Sequence, residues 1–252
     1  MKPLVIVDAD VLGRERTGDE THVENVLRRL PEVADGAFRF AAVTRHPELV
    51  PEGVEPLPLQ ARSQELRMAW SLPRLLRRVR PALAHFQYAL PLACPCTAVV
   101  TVHDLSFERD PRLMSRRDRA IFRRVVPRAV RRSAVVFAVS ERTRRDLIDL
   151  YETPAETIVV TPNAVDSAFT PAGEPDGYLL FVGAIQRRKN PLAAADAAAA
   201  LDLPLVVAGP EKDPELAREL ERRGADLRGY VEKSELASLY RRALCVVLPS
   251  RF

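Results

Sequence analysis

Short apolar runs alternate with longer amphipathic stretches along this chain, a pattern typical of βαβ units and a parallel sheet. Ser140 and Glu141 supply a capping residue and a first-turn acid for the last helix of the first part. The predicted fold class is therefore α/β. In the first part, strands are predicted at residues 4–7, 38–43, 83–86, 99–102, 135–139 and 158–160, and helices at residues 21–30, 64–79, 115–132 and 141–150.

A second alternation follows residues 166–177, which are rich in Pro, Gly and small polar residues and indicate a linker. We predict two doubly wound, Rossmann-like domains, an N-terminal one at residues 1–170 and a partial C-terminal one at residues 171–252. In such folds a ligand binds at the carboxyl ends of the strands. The second-domain strands are predicted at residues 178–182, 205–208, 226–227 and 244–248, and its helices at residues 191–200, 214–223 and 234–242.

Composition narrows the class of protein. The 252 residues are 47% hydrophobic and 29% charged, and the net charge is only +4 because 38 Lys and Arg face 34 Asp and Glu. Charges of the two signs alternate along the chain. That alternation argues against a nucleic-acid partner. The chain has no run of ~20 apolar residues, the length of a membrane helix. Three cysteines without a framework, and without a histidine near Cys94-Pro95-Cys96, indicate a reducing, cytoplasmic location and no metal site.

A basic turn after residues 178–182 is the strongest chemical signal. The strand leads through Gly183 to Arg187, Arg188 and Lys189, and then a helix opens at residues 190–191. Fixed cations beside a helix start can hold a phosphate group. We therefore predict a phosphate-binding site here.

Polar residues at other strand ends supply further candidates. His103 and Asp104 directly follow one strand, and Asn163 follows another, where local hydrogen bonding is the alternative role. The glycine loop containing Gly18, just before His22, is not GxGxxG, which argues against a dehydrogenase. Gly18 can still admit an anion to backbone N–H groups, or can serve an ordinary βα turn. No GxSxG, HExxH or Walker signature occurs.

In order, these segments resemble the retaining GT-B glycosyltransferases of family GT4, the glycosyltransferase group 1 domain, which includes mannosyltransferases. The resemblance covers nearly the whole chain. It is carried by DADVLGRERTGDETHVENVL near the start, VVTVHDLSFERDP, VFAVSERTRRDLI, IVVTPNAVD, YLLFVGAIQRRKN, LVVAGP, LRGYVEKSELASLYRRA and VVLPSRF.

The resemblance implies a GT-B fold and transfer of a hexosyl group, with retention, from a nucleotide sugar to an acceptor hydroxyl. The donor would be GDP-mannose or a UDP-hexose, the acceptor a saccharide or lipid-linked saccharide, and no metal or other cofactor would be needed. His103, with Asp104, would act near the reacting sugar as an orienting group. The donor-phosphate residues would be Gly18, Arg187, Arg188 and Lys189, and His22 and Asn163 would be further cleft residues.

Three departures from the family pattern bear on activity. Ala184 stands where the family often has Arg, and Asn163-Ala164 replaces the usual Asn-Gly, at a cost of about 1 kcal/mol if that turn needs a positive φ. The glutamate-containing loop and helix expected after residues 249–252 are absent. The alternative interpretation is therefore a catalytically inactive, truncated remnant, or a fragment that binds an acceptor or a partner. An uncovered strand at residues 244–248 would favour self-association.

Helix 115–132 mixes arginine with apolar residues and raises the alternative of peripheral contact with anionic lipid at the inner face of the membrane. Internal Pro127 argues against a continuous helix. The other interpretation is a helix packed on the sheet with its arginines in solvent.

Overall fold

The computed structural model describes residues 2–14, 18–110 and 114–250. The chain forms two compact units, Met1–Asn163 and Ala164–Phe252. The first covers most of the predicted N-terminal domain, and the change of unit falls seven residues before the predicted boundary at residue 170. None of the described helices is both long and apolar enough to cross a bilayer.

Unit 1 is built on a seven-stranded sheet in which every pair of neighbours runs parallel, in the order β3-β2-β1-β4-β5-β6-β7. This order reverses direction beside β1, as a doubly wound sheet does. The parallel α/β architecture is confirmed. Its strands are β1 (Leu4–Asp8), β2 (Arg39–Thr44), β3 (Glu55–Pro58), β4 (Leu83–Gln87), β5 (Thr97–Val102), β6 (Val135–Ala138) and β7 (Ile158–Val160).

Helices cover both faces of this sheet, because the strands are apolar on both sides. Ile6 and Val100 belong to the larger buried cluster, and Val7 and Phe40 to the smaller one. The helices of unit 1 are α1 (Asp19–Val33), α2 (Gln64–Leu66), α3 (Leu72–Val79), α4 (Ser106–Arg109), α5 (Arg116–Arg132) and α6 (Glu141–Tyr151). As predicted, Ser140 caps α6, its hydroxyl accepting from Thr143 N at 3.1 Å.

Several local features of unit 1 differ from prediction, among them the short helix α4, which was not predicted. No strand was predicted at residues 55–58, but β3 forms there with the sequence EPLP, at an edge of the sheet where proline is tolerated. The single helix predicted at residues 64–79 is interrupted by a π-helical turn, Arg67–Ser71. Pro73 has no N–H to donate to the carbonyl four residues earlier, which is a physical reason for the interruption. In α5, by contrast, the helix continues through Pro127.

Unit 2 is a four-stranded parallel sheet in the order β10-β9-β8-β11. Its core joins sheet residues such as Phe181 and Val207 to Ala194 and Leu220 on the covering helices. Strand β11 forms one edge, and Leu244 is 53% exposed. The elements are β8 (Tyr178–Val182), α7 (Pro191–Ala200), β9 (Leu205–Ala208), α8 (Pro214–Arg222), β10 (Asp226–Gly229), α9 (Lys233–Arg242) and β11 (Ala243–Val246).

The segment predicted as a linker is fixed on unit 2, against α9. The Asp166 carboxylate accepts from Lys233 Nζ at 3.0 Å, and the Phe169 ring meets the Tyr240 ring edge-on at 5.5 Å. Asp176 forms an ion pair with Arg242, the last residue of α9. The start, middle and end of the segment are thus each attached to one helix.

Candidate functional site

The carboxyl end of β5 places His103 among polar and aromatic neighbours in unit 1. A hydrogen bond of 2.9 Å joins His103 Nε2 to Gln87 Oε1 at the end of the adjacent strand β4. With the Gln87 amide in this orientation its oxygen accepts, so Nε2 carries the proton and Nδ1 keeps its lone pair, while Gln87 Nε2 is buried without a partner among the described residues. Thr143, in the first turn of α6, donates to the His103 carbonyl at 3.0 Å and fixes the backbone.

His22 and Asn163 lie beside His103. The His22 and His103 rings pack edge to face with centroids 4.8 Å apart, and His22 Nδ1 is 3.2 Å from Asn163 Oδ1. The sequence predicted these three residues separately, and the fold of unit 1 brings them together. His22 Nε2 is buried and has no hydrogen-bond partner among the described residues, so it is an atom that a bound ligand could satisfy.

Burial keeps the histidines of this cluster neutral. It lowers the pKa of His22, against the opposing effect of the Asn163 hydrogen bond and Asp19, and it lowers the pKa of His103 despite Asp19 and Asp104. His85, deeper in the sheet, has a pKa of about 4, chiefly because it is buried. His85 bonds the Thr101 hydroxyl at 2.7 Å, so it has a structural partner inside the core.

Tyr88 is part of this site and was not predicted from the sequence. Its φ of 59° is left-handed, and a non-glycine residue held this way is often found at a functional site. Its ring packs on His103 at 5.5 Å and on Phe122 at 5.5 Å. Its hydroxyl accepts from Asp104 N at 3.1 Å, and burial raises the Tyr88 pKa well above its ordinary value.

Asp104 and Gly18 have local surroundings that bear on their predicted roles. The Asp104 carboxylate accepts from Ser106 N at 2.9 Å and so caps the turn after β5. Gly18 has a negative φ, and a Cβ added there would meet no atom within 4 Å, whereas Gly13 has φ +75° and a Cβ there would meet the His46 ring at 2.8 Å. Residues 15–17 of the predicted glycine loop lie outside the described residues. The catalytic role of Asp104 and the phosphate contact of Gly18 stay predictions.

In unit 2, the predicted basic residues form a short 3-10 turn after β8, Arg187–Lys189. The Arg187 side chain is exposed, and its Nε lies 3.4 Å from Asp213 Oδ2, which partly neutralises it. Arg188 and Lys189 are half-buried. Asn190 follows in a left-handed conformation, φ 53°, and Pro191 then begins α7. Two cations are therefore held beside the amino end of a helix, which favours an anion.

Gly183 and Gly209 end the neighbouring strands β8 and β9 and approach each other closely. Their φ angles are 147° and 149°, and a Cβ on Gly209 would lie 2.2 Å from the Gly183 carbonyl oxygen. Sequence reasoning did not select Gly209, although its position directly after an apolar strand is a usable signal. Ala184, the first departure from the family pattern, is buried behind this turn.

The Asn163-Ala164 turn needs no glycine. Neither residue is among the described non-glycine residues with a positive φ, so the penalty considered for Ala164 does not arise. The Cys94 and Cys96 sulfurs are 3.8 Å apart as free thiols, and the described residues contain no group of three or more potential metal ligands.

Comparison with known proteins identifies the class. Residues 16–169, more than half of the chain, match Glycosyltransferase Family 4. The chain therefore belongs to this family. No curated protein matches the sequence significantly. Family membership and fold support sugar transfer as the general activity.

Solved structures share the fold at low sequence identity. The glycosyltransferase from Rickettsia africae ESF-5 is 14% identical with a TM-score of 0.64, over 99% of this chain and 73% of that one. AviGT4, a glycosyltransferase involved in avilamycin A biosynthesis, is 18% identical with a TM-score of 0.61, over 98% and 69%. UDP-N-acetylglucosamine 2-epimerase from Rickettsia bellii is 13% identical with a TM-score of 0.60, over 98% and 73%. The fold is thus the GT-B type.

Proposed function

We propose that this protein transfers a hexosyl group from a nucleotide sugar to an acceptor hydroxyl with retention of configuration. The observation that carries the proposal is the neutral His103, fixed by Gln87 and Thr143 at a strand end, next to His22 and Asn163. The donor is GDP-mannose or a UDP-hexose, and the acceptor is a saccharide, free or linked to a lipid.

The chemistry of unit 1 suits an orienting role. His103 is neutral, with its Nε2 proton held by Gln87, so it binds a sugar hydroxyl through Nδ1 without carrying charge. A neutral, prepositioned hydrogen-bonding group stabilises a transition state because it needs no reorganisation during the reaction. His22 Nε2 offers a second buried nitrogen to the same ligand.

The chemistry of unit 2 suits the leaving diphosphate. Charge builds on the diphosphate as the glycosidic bond breaks, and fixed cations stabilise that charge. Arg188 and Lys189 take this role, together with Arg187, whose Nε lies 3.4 Å from Asp213 Oδ2. Gly183 and Gly209 carry no side chains, so these two strand ends leave room for a nucleotide to approach the backbone.

The first test is calorimetric titration of the folded protein with GDP-mannose, UDP-glucose and the free diphosphates. We expect submillimolar binding of one nucleotide sugar and its diphosphate, weakened at least tenfold by Lys189→Ala through the loss of a charge-assisted contact. Lys2→Ala, an exposed lysine just before β1 in unit 1, is the matched control and should bind normally. Absence of heat from a folded sample would contradict the proposal and favour the inactive or partner-binding alternative.

The second test assays transfer and its stereochemistry. With a bound donor, His103→Gln should lower the rate of sugar transfer or donor hydrolysis about 100-fold, while donor affinity changes little. NMR of the product should show the anomeric configuration of the donor. Accumulation of an epimerised nucleotide sugar without acceptor would instead assign an epimerase activity, which the fold by itself also accommodates.

Two further surfaces belong to the proposal. Contact with anionic lipid through α5 would depend on its arginines and on Ile121, 41% exposed, because Val126, Ala129 and Val130 of this helix are buried in the core. If Arg→Glu changes on α5 left cosedimentation with anionic vesicles unchanged, contact of α5 with lipid would be contradicted. Self-association through the uncovered strand β11 is checked by sedimentation of Leu244→Glu, which should be monomeric if the apolar face that exposes 53% of Leu244 forms the contact.

A further inference from the structure

A groove of about 500 Å³ opens on unit 1, away from the His103 cluster. We call it the Trp70 groove, and it lies where the loop after β3 meets the π-helical turn. Its lining is part apolar and part polar, as is usual where a small ligand binds. The lining residues are Gln60, Ala61, Arg62, Leu66, Trp70 and Ser71.

Trp70 is the only tryptophan of the chain, and it is 67% exposed. A large aromatic side chain is usually buried, so the exposure of Trp70 in the wall of a groove indicates a binding surface. The π-helical turn sets this orientation, and such single turns are frequent at functional sites.

The turn that displays Trp70 is fixed to the sheet by a fully buried arginine. Arg67 Nη1 and Nη2 donate to the two oxygens of Asp8 at 3.0 and 2.5 Å, and its Nε lies 3.3 Å from Asp10 Oδ1. A buried ion pair contributes little net stability, since the cost of desolvating the two charges offsets much of their attraction. Its geometric effect is to hold the base of the groove rigidly on β1.

The surroundings of the groove are positively charged. Arg45 Nε lies 2.9 Å from Asp10 Oδ1, and Arg14 also pairs with Asp10. Three guanidinium groups, those of Arg14, Arg45 and Arg67, therefore pair with the two carboxylates, and Arg62 in the groove wall adds a further positive charge. Arg62 is exposed, and within the described parts of the chain it has no ion pair with a carboxylate.

We infer that the Trp70 groove binds a saccharide unit carrying an anionic group, a carboxylate or a phosphate, as the non-reacting part of the acceptor. This inference rests on the proposed transferase function. The C–H face of a sugar ring packs against the negative face of the indole, and Gln60 and Ser71 bond its hydroxyls. Arg62 forms the charge-assisted bonds to the anion.

The position of the groove fits this role. The groove lies at the carboxyl ends of β1 and β3, which is the same end of the sheet at which β5 presents His103. Two strand spacings separate β1 from β5 and four separate β3 from β5, so the two places are roughly 10–20 Å apart. An acceptor extending over more than one sugar unit can therefore occupy the groove while its reacting hydroxyl lies near His103. Binding of the remote unit then contributes to positioning the reacting one.

A lipid surface is the other chemistry that an exposed tryptophan near arginines could meet. The groove is concave, and insertion would remove water from Gln60, Arg62 and Ser71 in its wall. These features favour the saccharide.

The single tryptophan provides the test, because emission of the intact protein reports on the groove. We would titrate with methyl glucuronide, glucose 6-phosphate, methyl glucoside and phosphatidylglycerol vesicles. We expect saturable quenching by one or both anionic sugars, at least tenfold tighter than by methyl glucoside. A stronger response to the carboxylate or to the phosphate distinguishes the two anion sources.

Variants locate the interaction. Arg62→Gln should reduce the affinity for the anionic sugar to that for methyl glucoside, whereas the matched change Arg78→Gln, at the far end of α3, should leave it unaltered. Trp70→Leu removes the fluorophore, so saturation-transfer NMR is used for that variant, and loss of the sugar signal is expected. Circular dichroism checks that each variant is folded.

Three outcomes would overturn the inference: no response to any sugar, equal binding of neutral and anionic sugars, or a blue shift with vesicles alone, which would assign the surface to a membrane. Donor hydrolysis measured without acceptor tests the transferase function separately. A protein that hydrolyses its donor but ignores the sugars would refute only the groove assignment.

Discussion

Gly209 is the residue whose identity the fold constrains most visibly. Its φ of 149° is accessible to glycine, and any Cβ would lie 2.2 Å from the Gly183 carbonyl oxygen. Two separate costs therefore oppose a side chain at this position, backbone strain and steric overlap. Gly224 bears only the first of them, since φ is +80° and nothing lies within 4 Å of its Cβ position.

We expect Gly209→Ala to destabilise unit 2 by at least about 3 kcal/mol, and Gly224→Ala by about 1 kcal/mol. Urea unfolding followed by circular dichroism measures both. Trp70 emission, which reports on unit 1 only, should be nearly unchanged. Equal losses for the two variants would show that the strand ends separate to accept the methyl group.

The residues around His103 show which parts of a site are predictable one at a time. His103, His22 and Asn163 each stand at a recognisable strand or helix end in the sequence. Gln87 and Tyr88 also follow a predicted strand, at residues 83–86, but their relevance depends on strand order: β4 must lie beside β5 before Gln87 pairs opposite Thr101 and its amide reaches His103. That order is a tertiary property, which local pattern leaves open.

At the scale of the elements, helix α6 does more than cover the sheet. Its first turn is capped by Ser140, and in that turn Thr143, almost fully buried, donates to the His103 carbonyl at 3.0 Å. The cap therefore connects the start of one helix to the end of β5. The connection explains why His103 has a fixed backbone although it lies in a loop.

Replacing Thr143 by valine should cost about 1 kcal/mol of stability through the lost hydrogen bond. It should also lower the transfer rate more than it changes donor affinity, because His103 loses its fixed position. Thr157→Val is the matched control, since its hydroxyl donates at 2.8 Å to Pro154 in an exposed turn far from His103. Comparable rate losses in both variants would argue against the positioning role.

Element boundaries show the limits of sequence pattern in physical terms. The alternation predicts nearly every strand and helix because buried parallel strands are continuous apolar runs. The alternation misses β3, where proline is tolerated only because the strand has one neighbour. It also misses the π-helical turn, because one such turn hardly changes the spacing of apolar residues along the sequence. The Trp70 groove, which depends on that turn, was therefore not predictable.

At the scale of the molecule, the buried histidines of unit 1 make its stability depend on acid. The pKa of His85 is about 4, against an ordinary value of 6.5, and the pKa values of His22 and His103 are also lowered by burial. Below pH 6.5 the unfolded chain takes up protons that the folded chain does not. The free energy of unfolding therefore falls as the pH falls from 6.5 towards 4.

For His85 alone this loss reaches about 3 kcal/mol by pH 4. We expect urea unfolding, followed by Trp70 emission, to show a clear decrease between pH 6.5 and 5, before most carboxylates titrate. His85→Asn should make this decrease smaller, leaving the part due to His22 and His103, whereas His46→Asn, with a side chain 43% exposed, should leave the decrease unchanged. If the free energy of unfolding of the wild-type protein did not change over this pH range, the folded protein would take up a proton at His85 as readily as the unfolded chain does.

The attachment of residues 166–177 to α9 also has a consequence for protein engineering. Composition alone would suggest exchanging domains between relatives anywhere within this segment. Since Asp166, Phe169 and Asp176 all bind one helix of unit 2, a chimera joined after Gly177 would separate them from their partners. Crossovers placed between Asn163 and Ala164 keep the segment with α9, and recombination libraries of this family should yield more soluble hybrids at that junction.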